Sequence, residues 1–164
     1  MRAFYFFILT TALLLCFSSP RQGFERKEKL SDYGFFTGDL KELMPVTDVI
    51  PYSVNTPLFS NYAEKLRFIR LPQGAVASYN DSAVFEFPVE TIVIKNFYYP
   101  KDVRNPAKGR IILETRLLVL ESTGWQAYPY IWNKEQTEAY YDPAGETMAI
   151  TYVNRSGRKV ETPY

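Results

Sequence analysis

Residues 110–132, RIILETRLLVLESTGWQAYPYIW, constrain this chain more than any other stretch. Apolar, aromatic and charged side chains are concentrated there, and Ser122-Thr123-Gly124 offers a turn in the middle. The pattern predicts two long strands joined by a short turn, a ribbon on which both the core and any binding surface converge.

The flanking sequence supplies further strands. Between residues 59 and 71 strand alternation places Lys65, Arg67 and Ile69 on one side and Leu66, Phe68 and Arg70 on the other. Lys65 and Arg67 have two readings: a solvated strand edge that discourages sheet-to-sheet pairing, and an anion site. Residues 84–87 are expected to form a short strand ended by Pro88. Residues 90–99 (ETIVIKNFYY) form a longer one, with Thr91, Val93, Lys95 and Phe97 on one face and Ile92, Ile94, Asn96 and Tyr98 on the other. Lys95 is flanked by apolar neighbours, so an inward orientation requires a carboxylate partner or a path for the ammonium to solvent.

Prolines and glycines punctuate the rest. Residues 38–44 fit a short helix, with Asp39 as cap, Leu40, Leu43 and Met44 on one face, and Pro45 as the stop. Residues 51–58 are proline-bounded and extended. Leu71-Pro72-Gln73-Gly74, Asp142-Pro143-Ala144-Gly145 and Asn154-Arg155-Ser156-Gly157 are turns, with strands at 137–141 and 146–153. Many strands, regular turns and no long helix predict a mainly β fold over residues 30–164: an antiparallel β-sandwich or barrel-like single domain with a short amino-terminal helix.

Residues 1–19 carry Arg2 and then an apolar run over residues 3–17, the n-region and h-region of a secretory signal peptide; an uncleaved anchor is the rival reading. Leu13-Leu14-Leu15-Cys16 also resembles a bacterial lipidation site, with a bulky Leu15 where a small residue is usual. Residues 20–29 are polar and read as a tether. The chain is thus expected to be exported to the periplasm or outer cell envelope, touching membrane only through its leader or a lipid on Cys16.

Three composition facts exclude function classes. Without Arg2, 18 of the 19 Lys and Arg face 18 Asp and Glu, too even a balance for the basic field of a nucleic-acid binder. There is no histidine, which removes the usual general base, zinc ligand and axial haem ligand. Cys16 is the one cysteine and lies in the leader, so the exported domain has no disulfide, thiol nucleophile or Cys-based metal site. GxSxG, phosphate-loop, EF-hand and CxxCH motifs are all missing. Glu86, Glu90 and Glu114 are the raw material for two-carboxylate hydrolysis, but no spacing fixes their separation. The chain therefore reads as a non-enzyme without metal or cofactor of its own.

Pairing Glu121 with Trp125 across a three-residue loop sets Leu118 opposite Tyr128, Arg116 opposite Tyr130 and Glu114 opposite Trp132 on one face. This register places a Glu114–Arg116 pair among three rings, where Arg over a ring gains about 0.5 to 2 kcal/mol. A slip of one residue would move the set to the other face. The cluster reads either as an ion pair that locks the sheet or as a ligand or partner site.

Several stretches resemble one family: Leu30-Ser31 with Gly34-Phe35, Pro51-Tyr52 with Asn55 and Pro57-Leu58-Phe59-Ser60, Ala63-Glu64-Lys65 with Arg67, Leu71-Pro72 with Gly74, and Phe87-Pro88. The likeness continues through residues 93–95 with Phe97, Glu114-Thr115-Arg116-Leu117-Leu118, and Gly124-Trp125 with Tyr130 and Trp132. These resemble the amino-terminal β-rich region of exported bacterial proteins described as diheme c-type cytochromes of the SO2930 type. Glu90 stands where such proteins more often have glycine. The resemblance implies a haem c only in a downstream module, since this chain has no Cys pair or His to attach one. It also implies a partner, a downstream or separate c-type cytochrome or other redox module, which this domain docks to or positions. The alternative is a carbohydrate or small-ligand module using Tyr128, Tyr130 and Trp132 as a platform.

Overall fold

The computed structural model describes residues 23–164; the leader, including Cys16, and residues 20–22 of the expected tether lie outside them. The fold is mainly β. Its centre is an open six-stranded antiparallel sheet of β3 (Val49–Tyr52), β4 (Glu64–Arg70), β5 (Ile92–Pro100), β6 (Arg110–Glu121), β7 (Gly124–Trp132) and β8 (Ala139–Tyr141). Each strand pairs with the next in sequence, so the sheet is a simple meander with edges at β3 and β8 and does not close into a barrel. Short elements pack on both faces and give a sandwich-like arrangement: β1 (Phe36–Thr37) with β2 (Met44–Pro45), and β9 (Ala149–Val153) with β10 (Lys159–Pro163).

Alternation along the two longest strands decides which face is buried. Ile92, Ile94, Leu117 and Val119 project to the front with Phe68, Tyr130 and Trp132, and all of them are buried. Leu30, Phe35, Leu43 and Val49 of the amino-terminal segment cover them and complete the main core. Fully burying such side chains stabilises by roughly 1.5 to 3 kcal/mol each. One polar relay sits in this core: Trp132 Nε1 donates to Thr115 Oγ1 at 2.9 Å, and Thr115 donates to Asn96 Oδ1 at 2.6 Å.

The helix expected over 38–44 is a single 3₁₀ turn, Leu40–Glu42. Three residues are too few to propagate an α-helix, and Leu43 adopts a left-handed backbone with φ 51°. This reversal turns Leu43 into the core while Met44 points out to solvent, so the two do not share a face.

The polar tether expected at 20–29 is not free over its described part. Glu28 O accepts from Tyr141 N at 3.0 Å and Leu30 N donates to Ala139 O at 2.9 Å, so the segment covers the β8 edge. Phe24 packs on Tyr33 and Tyr128, and Tyr130 Oη donates to Lys27 O at 2.8 Å. Backbone pairing holds these residues, and side-chain polarity does not report it. The strand expected at 84–87 also differs. Their backbone pairs only through the single bridge Ser78–Glu86 within the long connection between β4 and β5.

The back face is covered mainly at its lower end, away from the β6–β7 turn. There the β9–β10 hairpin buries Ile150 and Tyr152 against Ala63, Tyr99 and Leu113 in a second, smaller core. A β-bulge makes this possible. Phe97 pairs with Glu114 but Tyr98 pairs with Ile112, leaving Leu113 as an extra residue directed into the second core. Asp102 anchors the adjoining loop, accepting from the Arg104 guanidinium and from Lys108 Nζ at 3.0 Å. These two cations hold its carboxyl well below the usual carboxylate range.

Candidate functional site on the open sheet face

The β6–β7 register differs by one residue from the expected one. Glu121 pairs with Gly124, not Trp125, across a two-residue turn. Gly124 has φ 113°, a conformation that favours glycine and lets the strand restart at once. Arg116 consequently lies opposite Pro129, while Tyr128 and Tyr130 lie opposite Leu117 and Thr115.

The expected cluster is split by this slip. Tyr128, Tyr130 and Trp132 face the front beneath the amino-terminal segment, with Tyr130 0% and Trp132 3% exposed, and they form no open trough. Burial, together with its hydrogen bond to Tyr33, raises the Tyr130 hydroxyl pKa. Tyr128 donates to Glu121, and this bond pushes its own pKa up to about 12.

Lys65, Arg67, Lys95, Glu114 and Arg116 all face the back. Strand pairing lays that face out in three transverse rows. The upper row is apolar, Ile50–Ile69–Val93–Leu118–Ala127; the middle row is Tyr52–Arg67–Lys95–Arg116–Pro129; the lower row is Lys65–Phe97–Glu114–Ile131–Tyr140. Most of these side chains are half-buried, Ile50, Tyr52, Ala127 and Tyr140 are exposed, and Phe97 and Glu114 are buried. Trp125 stands above the rows and continues into a chain of rings, Phe87, Phe85 and Tyr79, with successive centroids 6.0, 6.0 and 5.8 Å apart.

The charge on this face is unbalanced. Glu114, 5% exposed, accepts from Arg116 Nε at 2.8 Å and from its second nitrogen at 3.0 Å, a bidentate pair. Tyr164 Oη adds a bond to Glu114 at 3.3 Å from the end of the described chain. Arg67 and Lys95 make no ion pair among the described residues, and Lys65 donates only to the Leu58 carbonyl. Lys65, Lys95 and Arg116 all lie around the Phe97 ring, 5.9, 5.7 and 5.4 Å from its centroid. Partial burial, then the nearby Arg116, Arg67 and Lys65 charges, lower the Lys95 pKa. Burial and Arg67 lower that of Lys65. Like charges directly opposite one another destabilise a sheet, so the Arg67–Lys95–Arg116 row is held against its own repulsion.

Other candidates are internally satisfied or too far apart. A groove of about 720 Å³ at the lower end is lined by several charged residues, including Glu64, Lys108 and Arg110. Glu64 there accepts from Tyr98, Lys108 is engaged by Asp102, and Arg110 donates to the Glu42 carbonyl. Glu86 and Glu90 sit exposed on the β4–β5 connection. The backbone of Glu90 pairs with Leu120, six residues along β6 from Glu114, which is about 20 Å of strand and beyond the roughly 5 to 9.5 Å of glycosidase carboxylates. No group of three or more Asp or Glu among the described residues is placed to hold a metal ion.

Sequence reasoning missed the contributions of Phe97, Tyr164 and Trp125. Phe97 carried a usable signal, since alternation already placed it beside Lys95. No known protein family, curated protein or solved structure matches this chain. The chemistry of the open face suits an anionic partner with apolar flanks, held by side-chain donors alone.

Proposed function

We propose that this chain is a non-catalytic, exported docking domain of the bacterial cell envelope that holds a c-type haem or other redox module against its open sheet face. The observation that supports this reading is the joining, on one half-covered face, of a broad apolar surface with three cations, Lys65, Arg67 and Lys95, that have no carboxylate partner among the described residues. Sheet faces left uncovered in a folded domain mark interaction surfaces, and a cationic centre selects an acidic partner and speeds its approach. A haem module presents the matching chemistry, an apolar macrocycle edge bearing carboxylates. The resemblance described from sequence points to the same partner.

The test is to read the coding DNA beyond codon 164 and in adjacent genes for Cys-x-x-Cys-His, then co-express that product with the full chain and measure binding by calorimetry. Binding should weaken with added salt and be lost when Leu118→Asp places a carboxylate in the upper row. An encoded module that shows no binding, or binds the Leu118→Asp protein equally well, would refute the proposal.

A further inference from the structure

The back face poses a more specific question than which partner it meets. Arg67 and Lys95 lie directly opposite each other on β4 and β5, and Arg116 lies opposite Lys95 on β6. Of these three, Arg116 alone has its charge answered among the described residues, by Glu114. A ladder position with like charge on adjacent strands is normally avoided, because each cation raises the free energy of the others. An oxyanion seated between Arg67 and Lys95 would reverse the sign of that interaction.

The surroundings restrict what carries the oxyanion. Arg67 and Lys95 lie within the paired part of the sheet, where backbone N–H groups point along the sheet to neighbouring strands and not out of its face, so none cradles a phosphate as a helix end or glycine-rich loop does. Donors are limited to one guanidinium fork and one ammonium, which suits the two coplanar oxygens of a carboxylate. Immediately above the pair run Ile69, Val93 and Leu118, and immediately below sits the Phe97 ring. A fully hydrated anion gains nothing from those walls. A carboxylate attached to an apolar body fills both parts of the site.

We infer that Arg67 and Lys95, backed by Lys65, form a binding site for a carboxylate carried on an apolar body. This rests on reading the open face as a docking surface and names the group it grips. Lys65 sits diagonally across from Lys95 and adds a third positive charge around Phe97. The Lys95 pKa is lowered first by partial burial and then by the neighbouring cations, and a bound carboxylate would relieve that second contribution. Glu114 holds Arg116 to one side and leaves the other two cations available.

Three probes distinguish the chemistry when titrated into the full chain at matched ionic strength: decanoate, decanol and inorganic phosphate. Binding is followed by NMR on the lysine ammonium and arginine side chains. Decanoate should shift the Lys95 and Arg67 signals and bind at least about tenfold more tightly than either of the other two. The double variant Arg67→Gln, Lys95→Met should lose that preference while its melting temperature stays level or rises, and Lys159→Gln on the hairpin should leave binding unchanged. Equal binding of phosphate, equal binding of decanol, or decanoate binding that survives the double variant would overturn the site. So would a large fall in melting temperature in the variant, which would make these cations structural. The two proposals fail separately. If decanoate binds at Arg67 and Lys95 but the redox module does not dock, the docking reading falls and the site stands; a module that docks equally to the double variant removes the site and leaves docking.

Discussion

The two faces of the central sheet are built from the same strands, yet they answer opposite requirements. On the front the central apolar side chains are buried and even the polar relay Asn96–Thr115–Trp132 is internal. On the back, a hairpin covers one end, and four cations and a band of aliphatic side chains are left half-covered. Stability resides mainly in the front; the back keeps a charge arrangement that folding alone would not favour. Substituting the two faces in parallel tests that division.

The largest contrast lies between the two tryptophans. Trp132→Ala should destabilise by about 3 to 5 kcal/mol, since it opens a cavity and removes the donor to Thr115. Trp125→Ala, on the exposed rim, should cost no more than about 1 kcal/mol. Equilibrium urea unfolding measures both, and equal losses would erase the distinction between the faces.

Glu114→Ala probes the one carboxylate of the back rows. Arg116 would lose both of its bonds, but its side chain is 42% exposed and can turn to water, so the loss should be about 1 to 3 kcal/mol. A loss as large as that of Trp132→Ala would show that the ion pair, not the front core, holds the sheet.

Asp102 tests the covered end of the back face. Its folded pKa lies below the unfolded one, so its stabilisation is complete above the ordinary carboxylate range and fades as pH falls through that range. Asp102→Asn should be less stable at neutral pH and should show a flatter acid limb. Identical acid limbs in thermal melts would remove Asp102 as the anchor of the β5–β6 loop.

The smallest effect carries the opposite sign. Lys95→Met should stabilise by about 0.2 to 1 kcal/mol by relieving the like-charge row. Because the folded pKa of Lys95 is lowered, the folded protein releases this proton before the unfolded chain does, and its contribution to stability grows as pH rises toward the ordinary lysine value. Tyr98 and Tyr128, raised to about 12, oppose this above pH 10, so the difference between variant and wild type is the quantity to follow.

Much of the sheet was legible from alternation. The facing of Lys65, Arg67, Lys95 and Phe97 follows from β4 and β5 taken singly, because side chains there obey a strict period of two. What single strands do not encode is pairing. Ser122-Thr123-Gly124 admits both a two-residue and a three-residue loop, and that one-residue ambiguity carried Tyr128, Tyr130 and Trp132 to the wrong face. β10 was not singled out because KVETP is largely polar and becomes a strand only through β9. Residues 24–29 likewise looked like a tether, since charged side chains conceal a backbone that completes a sheet edge.

The bulge at Leu113 has a consequence for how this domain tolerates changes in length. Below it, the odd-numbered Ile111 and Leu113 of β6 point to the back; above it, the even-numbered Glu114, Arg116 and Leu118 do so. The strand therefore contains two reading frames joined at one residue. Deleting Leu113 would remove the bulge and leave both halves in phase, at the cost of its place in the second core. Deleting or inserting one residue farther along β6 would instead turn the segment beyond it inside out, exposing Leu117 and Val119 and burying Arg116. The connections at 53–63 and 71–91 impose no such phase and are where insertions should be accommodated.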